Sequence, residues 1–173
     1  KDVVDFIDKE MEAHFVAVIP TGGFTQGKSA PGVSESALMA KYIRKWCEQE
    51  PHIFNEEDSY TSFENSQKVA QKIREIQTTF RAGVYDIFTR KNTRIVHFCE
   101  ATRAANVVML DRHFMSDLVE SIDDITIETA SWERADPFRQ AGNLIYNKLA
   151  IKYTWLGLAE RERRRRIRKA QYQ

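Results

Sequence analysis

Phe15-Val16-Ala17-Val18-Ile19 is an unbroken apolar run, and Pro20-Thr21-Gly22-Gly23 closes it. A short apolar run ended by proline and glycines reads as a buried strand delivered into a turn. Upstream, residues 1–12 mix charges with Val3, Val4, Phe6, Ile7 and Met11, which suits a short amphipathic helix. Downstream, residues 24–33 are rich in Gly, Ser and Pro and read as a loop. Ser34 then caps a helix running to about residue 48, with Leu38, Met39, Tyr42, Ile43 and Trp46 expected on its inner face.

The same alternation continues. Ile53-Phe54 is a short strand leading into Glu56, Glu57 and Asp58. Thr61-Ser62-Phe63-Glu64 is a capping box, opening a helix that carries Val69, Ile73, Ile76 and Phe80 at helical spacing. Residues 81–92 read as the end of that helix and a loop, and Arg94-Ile95-Val96-His97-Phe98 as the next strand. Val107-Val108-Met109-Leu110 follows too soon after Phe98 to be a parallel neighbour, because a crossover needs about a dozen residues. A helix over 103–115, burying Ala104, Val107, Val108 and Phe114, solves the connection, with Ile125-Thr126-Ile127 as the strand after it. Beyond Pro137, Ile145, Leu149, Tyr153 and Leu156 point to a helix, and 158–170 to a charged one. The expected fold is α/β and Rossmann-like: a mainly parallel sheet with helices on both faces and a helical C-terminal tail. Residues 1–157 would form one domain and 158–173 a basic tail.

Composition narrows the function. The 173 residues are 42% hydrophobic and 29% charged, as in an ordinary folded domain. No apolar run approaches the ~18 residues that span a bilayer, so no membrane partner and a cytoplasmic location are expected. Cys47 and Cys99 cannot make a disulfide framework, no Cys/His cluster has zinc spacing, and His14, His52, His97 and His113 form no triad. Charge is unevenly placed. Residues 160–173 hold seven basic and two acidic side chains, a net +5, while the remainder of the chain is net −4. A nucleic acid or other polyanion would be drawn to that tail.

Gly22-Gly23-Phe24-Thr25-Gln26-Gly27-Lys28-Ser29 matches the phosphate-binding P-loop pattern after a strand. A working P-loop starts its helix at the Gly-Lys-Ser, and here Ala30-Pro31-Gly32 intervene. A P-loop phosphotransferase using ATP and Mg²⁺, with Lys28 on the phosphates and Asp111 as its acid, is therefore the alternative reading; a scaffold binding nucleic acid through the tail is another. A wider constellation consists of Gly22-Gly23 at the first strand's end, Ser34-Glu35-Ser36 opening the first helix after it, Glu57-Asp58-Ser59 and Thr61 to Asn65 at the second, and Arg103 at the third. In an open parallel sheet such strand ends and helix N-termini share the carboxyl edge, where ligands bind.

These segments resemble the YdcF/SanA/ElyC-like domain family, whose biochemical activity is not established. The family has a strand ending in Gly-Gly, a Ser-Glu-Ala segment with Met and Tyr on the first helix, then Glu-x-x-Ser and Thr-x-Glu-Asn. Here Glu56 lies three before Ser59, and Thr61, Glu64 and Asn65 match with one extra residue. Ile95 to Phe98, Glu100 and Arg103 look like the family's later strand and arginine loop. The resemblance covers about 15–130; Cys99-Glu100-Ala101-Thr102 stands where the family commonly has Thr-Ser and a His. It implies a small-molecule ligand, anionic or nucleotide-like, an adenosine-containing cofactor among the options. Gly22, Gly23, Ser34, Glu35, Glu57, Ser59, Thr61, Glu64, Asn65 and Arg103 would bind it, with the Gly22 and Gly23 amides as anchors and Arg103 neutralising charge. Glu35, Glu57 and Glu64 could hold a cation, though no metal site is assigned. No nucleophile–base pair stands out, so no reaction is assigned.

Overall fold

A computed structural model of the chain describes residues 2–24, 32–81, 88–130 and 136–171. Helix α1 spans Asp2–Met11, strand β1 Ala17–Val18, α2 Glu35–Trp46, β2 His52–Ile53 and α3 Ser62–Arg81. After them come β3 (Ile95–Glu100), α4 (Ala104–Met115), β4 (Ile125–Ala130), α5 (Pro137–Lys152) and α6 (Leu158–Gln171). The order is the expected α/β alternation. The strands, however, form two separate parallel pairs, β1 with β2 and β3 with β4, where one sheet was expected. The chain divides into two compact units. One compact unit is Lys1–Lys72 with Arg163–Gln173, the other Ile73–Glu162.

In the first unit the apolar run yields less strand than its composition promises. Ala17 pairs with His52 and Val18 with Ile53, and a further bridge joins Thr21 to Glu56. Between them Pro20 has no N–H to give, so the ladder breaks there, although its carbonyl still accepts from the Glu56 amide at 2.9 Å. Phe15 remains 37% exposed and stacks on His52 at 4.6 Å. The run is thus only partly buried.

Helix α2 begins as expected, with the Ser34 hydroxyl accepting from the Ala37 amide at 2.9 Å. Its inner face matches the expected one only at Ile43 and, in part, Met39. Ser36, Ala40 and Ile43 are buried, whereas Leu38, Tyr42 and Trp46 are exposed. The Ser36 hydroxyl donates to the Pro20 carbonyl at 2.8 Å, which turns the small side chains inward and lets the helix lie close to the main chain. The Lys45 ammonium lies 4.8 Å from the centre of the exposed Trp46 ring.

The second unit is held by a longer ladder. β3 and β4 pair in parallel through six positions, from Ile95 with Ile125 to Glu100 with Ala130. The crossover between them is α4, as the spacing argument requires, and α4 packs against β4 and α5. Val107, Leu110 and Met115 are buried on it, while Ala104, Val108 and Phe114 are only partly covered. A fully buried carboxylate, Asp111, meets His97 Nδ1 at 2.6 Å. Alternation along β3 puts Cys99 on the face of His97, and burial raises its thiol pKa to about 11, helped by the neighbouring charges of Asp111 and Glu100.

Candidate functional site

Three short segments of the first unit are stitched together by their own polar groups. The Gly22 amide donates to the Glu56 carbonyl at 3.0 Å and the Gly23 amide to the Ser59 carbonyl at 2.7 Å. In return the Gly22 and Gly23 carbonyls accept from the amides of Ser36 and Glu35, both at 3.0 Å. The first turn of α2 is therefore bolted to the end of β1. Gly22 has φ +137°, which favours glycine, and a Cβ there would stand 2.8 Å from Glu35 Oε2. At Gly23 a Cβ would meet two backbone oxygens, of Glu57 and Ser59, each at 2.8 Å.

Side chains complete the frame. Glu56 is 5% exposed, and its carboxylate accepts from the Thr21 hydroxyl at 2.6 Å, from the Ser59 hydroxyl, and from the Asp58 amide at 2.8 Å. Glu57 accepts from the Ser34 hydroxyl at 2.6 Å, joining the α2 cap to the loop before α3. At α3 half of the expected capping box forms: the Glu64 amide donates to Thr61 Oγ1 at 3.1 Å, while the Glu64 carboxylate accepts from the Tyr60 amide at 2.9 Å, one residue before the cap. That carboxylate has a second partner from the far end of the sequence. Arg163 Nε of α6 lies 2.6 Å from Glu64 Oε1, and its guanidinium sits 6.0 Å from the Tyr60 ring centre.

This geometry sorts the expected ligand-binding residues. The amides of Gly22 and Gly23, expected as anchors, already donate within the chain. Ser34 and Ser59 are each 1% exposed and bonded inside the frame, so their hydroxyls build the site and do not line it. Glu64 is 7% exposed, with capping and the arginine as its roles. Glu35 and Asn65 are half-buried in the first turns of α2 and α3; Glu57 and Thr61 are also half-buried, but they are already bonded to Ser34 and Glu64. Arg103 is exposed and belongs to the other unit, between β3 and α4. Beside it, hydrogen bonds from Thr102 hold the Glu100 carboxyl below the usual carboxylate range.

The expected ligand-binding set omits Thr21, Glu56 and Arg163. Glu56 was within reach, because the Glu-x-x-Ser spacing places it, and not Glu57, three before Ser59. Nothing local marks Arg163 among its neighbouring arginines. Among the described residues, no group of three or more His, Cys, Asp or Glu side chains could hold a metal ion. Thr25 to Ser29, with Lys28 of the P-loop pattern, lie outside the described residues. The helix after that pattern starts at Glu35, and Asp111 is fully buried inside α4 against His97. Neither placement is that of a phosphate-binding loop and its strand-end acid. Comparison with protein-family models, curated proteins and solved structures found no match.

Proposed function

We propose that the first unit is a small-molecule-binding module related to the YdcF/SanA/ElyC-like domains, with a Rossmann-like ancestry, and that its ligand is nucleotide-like. The observation that carries this reading is the frame itself. Residues 21–23, 34–36 and 56–64, scattered in sequence, come together where β1 ends and where α2 and α3 begin. Parallel strand ends facing helix N-termini are the usual place for ligands in α/β proteins. The half-buried acceptors Glu35 and Glu57, with Asn65, favour a ligand that presents hydroxyl or amino hydrogens, such as a ribose edge or an exocyclic amine. Two cysteines without disulfides suit a reducing, cytoplasmic setting. No reaction is assigned to the site.

The test is a thermal-shift panel of nucleotides, adenosine-containing cofactors and phosphorylated sugars. A ligand at a hundredfold excess over its Kd stabilises the folded state by about 2.7 kcal/mol. At this chain length that raises Tm by roughly 5–10 °C. Glu35→Gln together with Asn65→Ala should remove most of the shift. An empty panel, or a shift untouched by both changes, defeats the proposal.

A further inference from the structure

Helix α5 turns two amides inward beside Ala150 and an apolar stripe outward. Gln140 and Asn147 point inward, 8% and 7% exposed, and Asn147 Nδ2 donates to Asn106 Oδ1 on α4 at 3.0 Å. Phe138, Ile145 and Leu149 point outward, 88%, 62% and 42% exposed. At 3.6 residues per turn these three lie within about 40° of one another, so they form one stripe. Trp155, in the turn that follows the helix, is 78% exposed. A helix facing only water carries the opposite arrangement, with its apolar stripe toward the core. Isolated exposed apolar side chains need no explanation, but a stripe of them over buried amides marks a surface that something covers.

The charges around the stripe identify what covers it. From residue 137 to residue 156 the chain carries Arg139, Lys148 and Lys152 and no acid. The nearest acid, Asp136, is the N-cap, and its carboxylate accepts from the Phe138 amide at 3.0 Å. A second copy of this face would set cations against cations. An apolar stripe flanked by lysine and arginine and closed by Tyr153 and Trp155 instead matches an anionic bilayer surface, where aromatic rings sit at headgroup level and cations meet lipid phosphates. Phe138 and Trp155 also stand out from the surface, as inserting side chains do.

We propose that the outer face of α5, with Trp155, is a docking surface for anionic phospholipid membranes. The helix lies along the interface, with Phe138, Ile145, Leu149 and Trp155 among the acyl chains and Arg139, Lys148 and Lys152 at the headgroups. No described helix is long and apolar enough to cross a membrane, and docking of this kind requires none. The expectation of no membrane partner concerned spanning segments; the outward apolar stripe of α5 appears only when the chain is folded.

The full chain tests this by co-sedimentation with vesicles of phosphatidylcholine alone and of phosphatidylcholine with about 30% phosphatidylglycerol. It should pellet with the anionic vesicles only. Salt should weaken the binding without abolishing it, since the apolar contribution is not screened. Lys148→Gln with Lys152→Gln should lower the partition on the order of twentyfold. Phe138→Ser with Ile145→Ser and Leu149→Ser should lower it at least about tenfold with an unchanged circular dichroism spectrum. Should the triple variant fold poorly, Ile145→Ser alone should still weaken binding measurably. Failure of the wild-type chain to pellet overturns the proposal. So does full pelleting of a folded triple variant, which would assign the attraction to the arginines of α6. A wild-type dimer that the triple variant dissolves would give the face to a second copy and also overturn it.

Discussion

The frame at the end of β1 and the α4–α5 contact use buried polar groups in opposite ways. In the frame, the Glu56 carboxylate accepts three hydrogen bonds, from Thr21, Ser59 and Asp58, and Ser34 both caps α2 and binds Glu57. Between α4 and α5, Asn147 reaches Asn106, but among the described residues the Asn106 Nδ2 group is buried without a hydrogen-bond partner. A satisfied buried network fixes one arrangement of the backbone, whereas an unsatisfied group costs stability each time it is buried. The first region therefore behaves as a rigid platform. The second gives up polar and apolar energy together, holding amides inward and Phe138 outward.

The contrast can be broken hardest at Gly23. In Gly23→Val, a Cβ 2.8 Å from two backbone oxygens forces the main chain apart, and urea denaturation should show a loss of about 4 kcal/mol or outright unfolding. A loss below about 1 kcal/mol would mean the frame is soft. Glu56→Ala comes next, since it strands the hydroxyls of Thr21 and Ser59 and the Asp58 amide. The expected cost is about 2–3 kcal/mol. A neutral Glu56→Ala would show that water replaces the carboxylate freely and that the network fixes nothing.

Thr61→Ala removes the α3 cap and should cost on the order of 1 kcal/mol. Asn65→Ala should cost less than that while weakening any ligand more, which separates frame from binding surface. A smaller, pH-dependent effect belongs to Cys99. Its thiol is raised from 9.0 to about 11 by burial, so the folded chain keeps a proton that the unfolded chain releases. Stability is then fully present below pH 9 and declines as pH rises toward 11. Cys99→Ala should flatten that decline in a series of urea midpoints, and an unchanged slope would place the titration elsewhere. The smallest change is Ile145→Ser. With the side chain 62% exposed, stability should move by no more than about 0.5 kcal/mol. A loss of several times that would show Ile145 to be core, and would remove the contrast between the two regions.

Much of this was legible in the sequence because it is local. The α2 cap at Ser34, the α3 cap at Thr61, and the glycine pair all rest on hydrogen bonds or backbone angles set within a few residues. The crossover argument made residues 107–110 helical before any contact was known. The helix faces were not legible. Apolar spacing at 38, 42 and 46, and at 145 and 149, identified helices correctly; on α2 it placed Leu38, Tyr42 and Trp46 inward, where only Ile43 of the expected face is buried, and on α5 it carried no information about the inner side. On α2 the small residues Ser36 and Ala40 permit a close approach that Leu38 and Tyr42 would block. On α5 the inward side is chosen by Asn147 finding Asn106 across 41 positions.

The sequence by itself determined the type and order of the elements, their caps, and the glycine turn after β1, since periodicity and capping act over one or two turns of chain. The tertiary structure alone decided which glutamate is buried, how each helix is rotated about its axis, and that Arg163 answers Glu64. Those outcomes depend on which distant surfaces fit and which distant donors arrive, and a carboxylate or an apolar stripe carries no mark of its partner until the chain has closed around it.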